Sequence, residues 1–98
     1  MCGLIAWLNP PADADRARFE TALDLQGHRG PDDRTATYAP QIWLGHNRLS
    51  ILDLSPAGRQ PMVSPDGRYS LIYNGEIYNY VELREELKRL GHAFQSTG

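Results

Sequence analysis

The only cysteine of the chain is its second residue, and it opens onto an apolar run, Gly3 to Leu8, that stops at Asn9-Pro10-Pro11. Six such residues bounded by turn formers read as a buried strand. The strand therefore begins almost at the chain's first residue. If Met1 is removed, Cys2 carries a thiol and a free α-amine on one carbon. At neutral pH that amine is a weak base beside a potential nucleophile, so one residue supplies both halves of a nucleophile–base pair. Position alone leaves a plainer role open, because cysteine also packs as a small buried hydrophobe.

At 98 residues the chain is at most one domain, large enough for a core without covalent staples. A single cysteine excludes an internal disulfide framework and a multi-cysteine metal site. The net charge of −2, with Lys and Arg scattered, points to no nucleic-acid partner. No apolar run approaches the ~20 residues of a membrane span, and Met1 to Pro10 lacks the basic flank of a signal peptide. A cytoplasmic location is the expectation, and a free terminal thiol suits a reducing compartment.

Further along, Asp13 or Asp15 predicts the cap of a helix running to about Leu25, with Phe19, Ala22 and Leu23 as its apolar stripe and Gly27 as its stop. A polar loop, His28 to Asp33, follows. Thr35–Ala39 and Gln41–His46 read as two strands around Pro40, and Arg48–Leu54 as a further apolar segment. Ser55 to Pro61 is a loop. Pro65-Asp66-Gly67 predicts a hairpin turn between Met62–Ser64 and Arg68–Tyr73. Tyr80, Leu83, Leu87 and Leu90 have helical spacing, Asn79 and Glu82 resemble a capping box, and Gly91 is a natural terminator. Ala93–Thr97 predicts a last strand. The order β-α-β-β-β-β-α-β suggests an α+β fold of antiparallel sheet and helices.

Several polar segments are richer in turn formers than packing requires. Asn74-Gly75-Glu76 directly follows a predicted strand. It reads as a turn, or as two donors, the Asn74 amide and the Gly75 N–H, converging on an oxyanion. Arg48 closes another strand and is either a surface charge or a fixed fork for a carboxylate. Glu76 suits an ammonium. Together these groups describe a pocket for a free α-amino acid with a reactive side-chain carbonyl.

The ordered set Met1-Cys2-Gly3, His28-Arg29-Gly30-Pro31-Asp32, Arg48-Leu49-Ser50-Ile51-Leu52-Asp53, Gln60-Pro61-Met62 and Tyr73-Asn74-Gly75-Glu76-Ile77-Tyr78-Asn79 resembles the glutaminase domain of class II glutamine amidotransferases. More narrowly, it resembles the asparagine synthetase (glutamine-hydrolysing) branch. The resemblance spans essentially the whole chain. It implies a partial four-layer αββα N-terminal-nucleophile hydrolase sandwich, with antiparallel sheets and helices on the outer faces. Residues 1–98 would be the N-terminal portion of that domain. It also implies that Cys2 attacks the carboxamide of glutamine and that Asn74 and Gly75 hold the oxyanion. Arg48 would take the α-carboxylate, Leu49, Ser50, Ile51 and Leu52 would line the pocket, and Glu76 would hold the α-amino end. His28, Arg29 and Asp32 match a family loop near the site and are expected to brace it. His46 and His92 lack partners at ligand spacing, so no metal site is expected.

The chain departs from the family pattern at its end. Family members carry an aspartate for the glutamine α-amine shortly after a segment like Phe94-Gln95-Ser96-Thr97-Gly98, and this sequence stops before it. The chain is therefore expected to be truncated. The ATP-using synthetase domain, with its glycine- and serine-rich pyrophosphate loop, is absent as well. No cofactor is expected in this segment; ATP and Mg belong to that domain, which would act in cis or trans and pass the ammonia to an activated carboxylate, aspartate first. Two alternatives stay open: a non-catalytic fragment that keeps the motifs, and a small α+β binding module. The ammonia acceptor and the oligomeric state are not readable from these residues.

Overall fold

Strand β1, Gly3–Leu8, ends where Asn9 takes a left-handed φ of 51° ahead of Pro10. Asparagine tolerates that conformation, and two prolines prevent the strand from continuing. The computed structural model describes all 98 residues. Helix α1, Arg16–Asp24, begins at Asp15, whose carboxylate accepts the Ala17 N–H at 2.9 Å. That cap satisfies one of the orphan N–H groups of the first turn. Phe19 and Leu23, from the predicted stripe, are its buried residues.

Strands β2, Asp33–Tyr38, and β3, Ile42–Arg48, complete a three-stranded antiparallel sheet in the order β1-β3-β2. The central strand β3 is buried from Trp43 to Arg48 because both of its faces are covered. Trp43, Gly45 and Asn47 face α1. Trp43 meets Phe19 edge-to-face at 5.6 Å between ring centroids, and the Asn47 amide donates to the Leu23 carbonyl at 2.7 Å. In register beside Trp43 lie Trp7 on β1 and Tyr38 on β2, at centroid distances of 5.4 and 4.9 Å. This aromatic row is what holds the helix to the sheet. Leu44, His46 and Arg48 face the opposite side. There the chain folds back, and the Thr35 hydroxyl, in register with His46, donates to the Gln60 carbonyl.

A short 3-10 turn, Gly27–Arg29, leads into Gly30, which lies flat against β3. A Cβ there would collide with the Asn47 carbonyl and the Arg48 backbone, so only glycine allows this approach. A second 3-10 turn spans Pro56–Gly58. Strands β4, Met62–Val63, and β5, Ser70–Leu71, form the predicted hairpin, but with two residues each. The longer strands expected, to Ser64 and from Arg68 to Tyr73, do not form. Asp66 instead captures the Ser64 hydroxyl at 2.7 Å and the Arg68 N–H at 3.1 Å, and such local bonds compete with a ladder.

Helix α2, Tyr80–Arg89, forms where the spacing predicts and ends at Gly91 with a φ of 94°. Two expectations are corrected around it. Asn79 makes no side-chain cap bond, because its φ and ψ of −99° and 32° leave the extended region a cap requires. Ala93–Thr97 is not a strand. It pairs with no strand, and its Thr97 N–H goes to the Asp53 carboxylate at 3.0 Å. Two antiparallel sheets and two helices make this an α+β fold.

Candidate active site

The end of β3, the segment after it and the turn after β5 surround a cleft of about 300 Å³. Its walls include Cys2, Arg48, Leu49, Ile51, Leu52, Asn74, Gly75 and Glu76. These come from three stretches far apart in the sequence, and the volume is at the lower end of small-molecule pockets. Ser50 is the exception among the expected residues. It lines a smaller neighbouring cavity of about 120 Å³, and its N–H goes to the Asp32 carboxylate at 2.8 Å.

Cys2 is half-buried at the head of β1. Its Sγ accepts the Leu49 N–H at 3.3 Å and lies 3.8 Å from the Leu49 carbonyl, which fixes the sulfur beside the segment that follows β3. Arg29 donates from Nε to the Cys2 carbonyl at 3.1 Å. The expected bracing role of the 28–32 loop thus takes a specific form: Arg29 holds the backbone of Cys2, and Asp32 holds that of Ser50.

Arg48 is buried at the end of β3, and two of its donors are spent internally. Nη1 donates to the Ser55 carbonyl at 2.7 Å and Nη2 to the Asp53 carbonyl. A guanidinium has five N–H donors in a planar fork, so these two bonds orient it without exhausting it. Across the cleft, the turn carrying Asn74 and Gly75 is tied down through Tyr73, whose N–H donates to the Gln60 Oε1 at 2.5 Å. The Tyr73 ring lies over Gly75, where a Cβ would come within 2.6 Å of its hydroxyl. Glu76 is exposed at the rim.

Two contributors were given no individual role by sequence reasoning, although both lie within the quoted motifs. Gln60 bridges β2 and the Tyr73 turn by its carbonyl and its side chain. Asp53 is 8% exposed, and its carboxylate accepts the Ser55 N–H at 2.8 Å as well as that of Thr97. The Ser55 hydroxyl and N–H, with the Thr97 N–H, hold that carboxyl well below the usual carboxylate range. The only signal for either was membership of a motif. His46 is almost fully buried, with neither ring nitrogen partnered. No group of three or more His, Cys, Asp or Glu side chains converges as a metal ion would need. No helix is long and apolar enough to cross a membrane.

Comparison with known families matches residues 1–98 to the glutamine amidotransferase domain. The chain belongs to that family. Among its relatives, a glutamine-hydrolysing asparagine synthetase, number 3 of Bacillus subtilis, is 36% identical over 99% of this chain and 16% of its own length. A putative glutamine-hydrolysing asparagine synthetase of Mycobacterium tuberculosis is 41% identical over 100% of this chain and 18% of its own length. Amidase chry2 of Gibberella zeae is 38% identical over 95% of this chain and 16% of its own length. The amidotransferase chain described here therefore spans about a sixth of the length of the curated relatives it matches.

Proposed function

We propose that this amidotransferase domain hydrolyses glutamine to glutamate and ammonia through a thioester on Cys2. One observation carries the reading. A single cleft holds the sulfur of the second residue, an Asn-Gly pair and an oriented guanidinium. Met1 lines the same cleft, so its removal would both free the α-amine of Cys2 and open the space. The Cys2 thiol attacks the side-chain carbonyl carbon of glutamine while its own α-amine accepts the thiol proton. The Asn74 amide and Gly75 N–H stabilise the oxyanion. The tetrahedral adduct then collapses: the C–N bond breaks, the amine returns the proton to the leaving nitrogen, and ammonia departs. Water adds to the remaining γ-glutamyl thioester, glutamate leaves, and the thiol is restored. Arg48 holds the α-carboxylate, Glu76 the α-amino end, and Leu49, Ile51 and Leu52 the wall between, while Ser50 ties that wall to Asp32.

The names of the relatives support a synthetase context. In this reading the ammonia passes to a synthetase domain, in cis or trans, that activates a carboxylate, aspartate first, with ATP and Mg. None of these 98 residues is assigned to that step, since they contain no glycine-rich phosphate loop. The domain is read as part of a four-layer αββα sandwich, with antiparallel sheets inside and helices on the outer faces. The test is glutamate release by the protein as its gene encodes it. Cys2→Ser abolishes release, and Asn74→Ala slows it by about 10²–10³. Release that survives Cys2→Ser contradicts the proposal.

A further inference from the structure

We propose that Asp53 is a positioning residue for the amino-acid end of the cleft, tying the Arg48 guanidinium to the Ser96–Gly98 segment across from it. The proposal rests on the glutaminase reading above and deepens it. Asp53 binds in both directions. Its backbone carbonyl accepts from Arg48 Nη2, and its carboxylate turns the Ser55 backbone so that the Ser55 carbonyl accepts Nη1 at 2.7 Å. Both bonds that aim Arg48 therefore depend on the Asp53–Ser55 turn. The other carboxylate oxygen accepts the Thr97 N–H at 3.0 Å.

The segment so held is part of the site, since Ser96 and Gly98 line the same cleft as Cys2. It is gripped from its far side by Arg84 of α2, which donates to the carbonyls of Thr97, at 2.9 Å, and Gly98. The Arg84 guanidinium is sandwiched between the rings of Tyr80 and Phe94, each at 5.5 Å, so it is a fixed support. Arg84 ties the segment to α2, and the Asp53 carboxylate ties it to the wall that carries Arg48. The carboxyl's donors, the Ser55 hydroxyl and N–H, the Thr97 N–H and the Ser96 hydroxyl, keep it ionised across the neutral range, so the tie does not loosen with ordinary changes in pH.

The reacting end is held differently. Cys2 is fixed by Leu49 and Arg29, and the Asn74–Gly75 turn by Gln60; none of these bonds passes through the Asp53 side chain. Loss of the carboxylate should therefore weaken binding of the amino-acid end and leave the reacting groups in place.

The experiment measures inactivation of the gene-encoded protein by a glutamine analogue bearing a diazoketone in place of the carboxamide, as a function of its concentration. Asp53→Ala raises the half-saturating concentration about tenfold, as expected for losing a charged hydrogen bond. The limiting rate stays within about twofold, the pattern of a binding defect. Asp53→Asn, which keeps one acceptor, falls between. Thr97→Pro removes the N–H donor while sparing the Asp53–Ser55 turn, and it raises the half-saturating concentration by itself even if Asp53→Ala fails to fold. Unchanged half-saturation in Thr97→Pro, or a limiting rate that falls with it, overturns the proposal and leaves the glutaminase reading standing. A parent protein that is not labelled at Cys2 overturns both.

Discussion

Buried polar side chains do more to organise this chain than its few buried apolar ones. Asn47, Arg48, Asp53 and His46 are all buried, and the first three spend their bonds on backbone, Asn47 on α1 and Arg48 and Asp53 beside the cleft. His46 does not. Burial lowers its pKa from 6.5, with Arg48 acting in the same direction; the Tyr73 backbone, near but outside hydrogen-bond geometry, and Asp33 oppose. Its folded-state value thus lies below that of the unfolded chain. The unfolded chain takes up a proton below about pH 6.5 that the folded protein refuses. The contribution of His46 to stability is therefore complete above that pH and drains away as the pH falls toward the folded value. The melting temperature should drop more between pH 7 and pH 5 in the parent than in His46→Gln; equal drops contradict this account. Sequence reasoning placed Cys2, Asn74 and Gly75 in one pocket because their chemistry is distinctive. Asp53 and Gln60 stayed hidden, because a side chain that works by holding backbone has no local signature.

Among the elements, those with their own internal signals were legible. β1, α1, β3 and α2 lie close to where apolar spacing, caps and breakers put them. The errors fell where long-range partners decide. The capping box at Asn79 fails because the preceding turn sets an incompatible backbone. Residues 93–97 do not become a strand; the Thr97 N–H goes to a side chain, the Asp53 carboxylate, instead. The packing of the Gly27–Gly30 turn on β3 was equally invisible, although it carries Arg29 to Cys2. It gives a direct test. Gly30→Ala drives a methyl into the Asn47 carbonyl and should cost about 1–3 kcal/mol, typical of overpacking against immovable backbone. An unshifted urea midpoint would show that this contact is not tight.

The whole chain is more open than its size alone requires. It exposes 7058 Å², against about 5,600 Å² for a folded monomer of its mass. Its radius of gyration is 14.9 Å, against about 13 Å for a compact chain of this length. Part of the excess lies on the hairpin and α2. Val63, Leu71, Ile77 and Val81, on the hairpin, α2 and the turn between them, are each more than half exposed, and no residue of α2 is buried. The three-stranded sheet with α1 is the part that has a core. The four-layer arrangement proposed above would cover the remainder. It is proposed through resemblance alone, because layer order depends on surfaces meeting in space and leaves no periodic trace in the sequence.

The central claim is that the residue after Met1 acts as nucleophile and proton carrier together, and only a free α-amine at that position permits this. Inserting one alanine between Met1 and Cys2 keeps the thiol but moves the free amine to a different residue. Glutamate release from glutamine by that protein, once it is verified to be folded, should fall by about 10²-fold or more. Release at the parent rate would contradict the account.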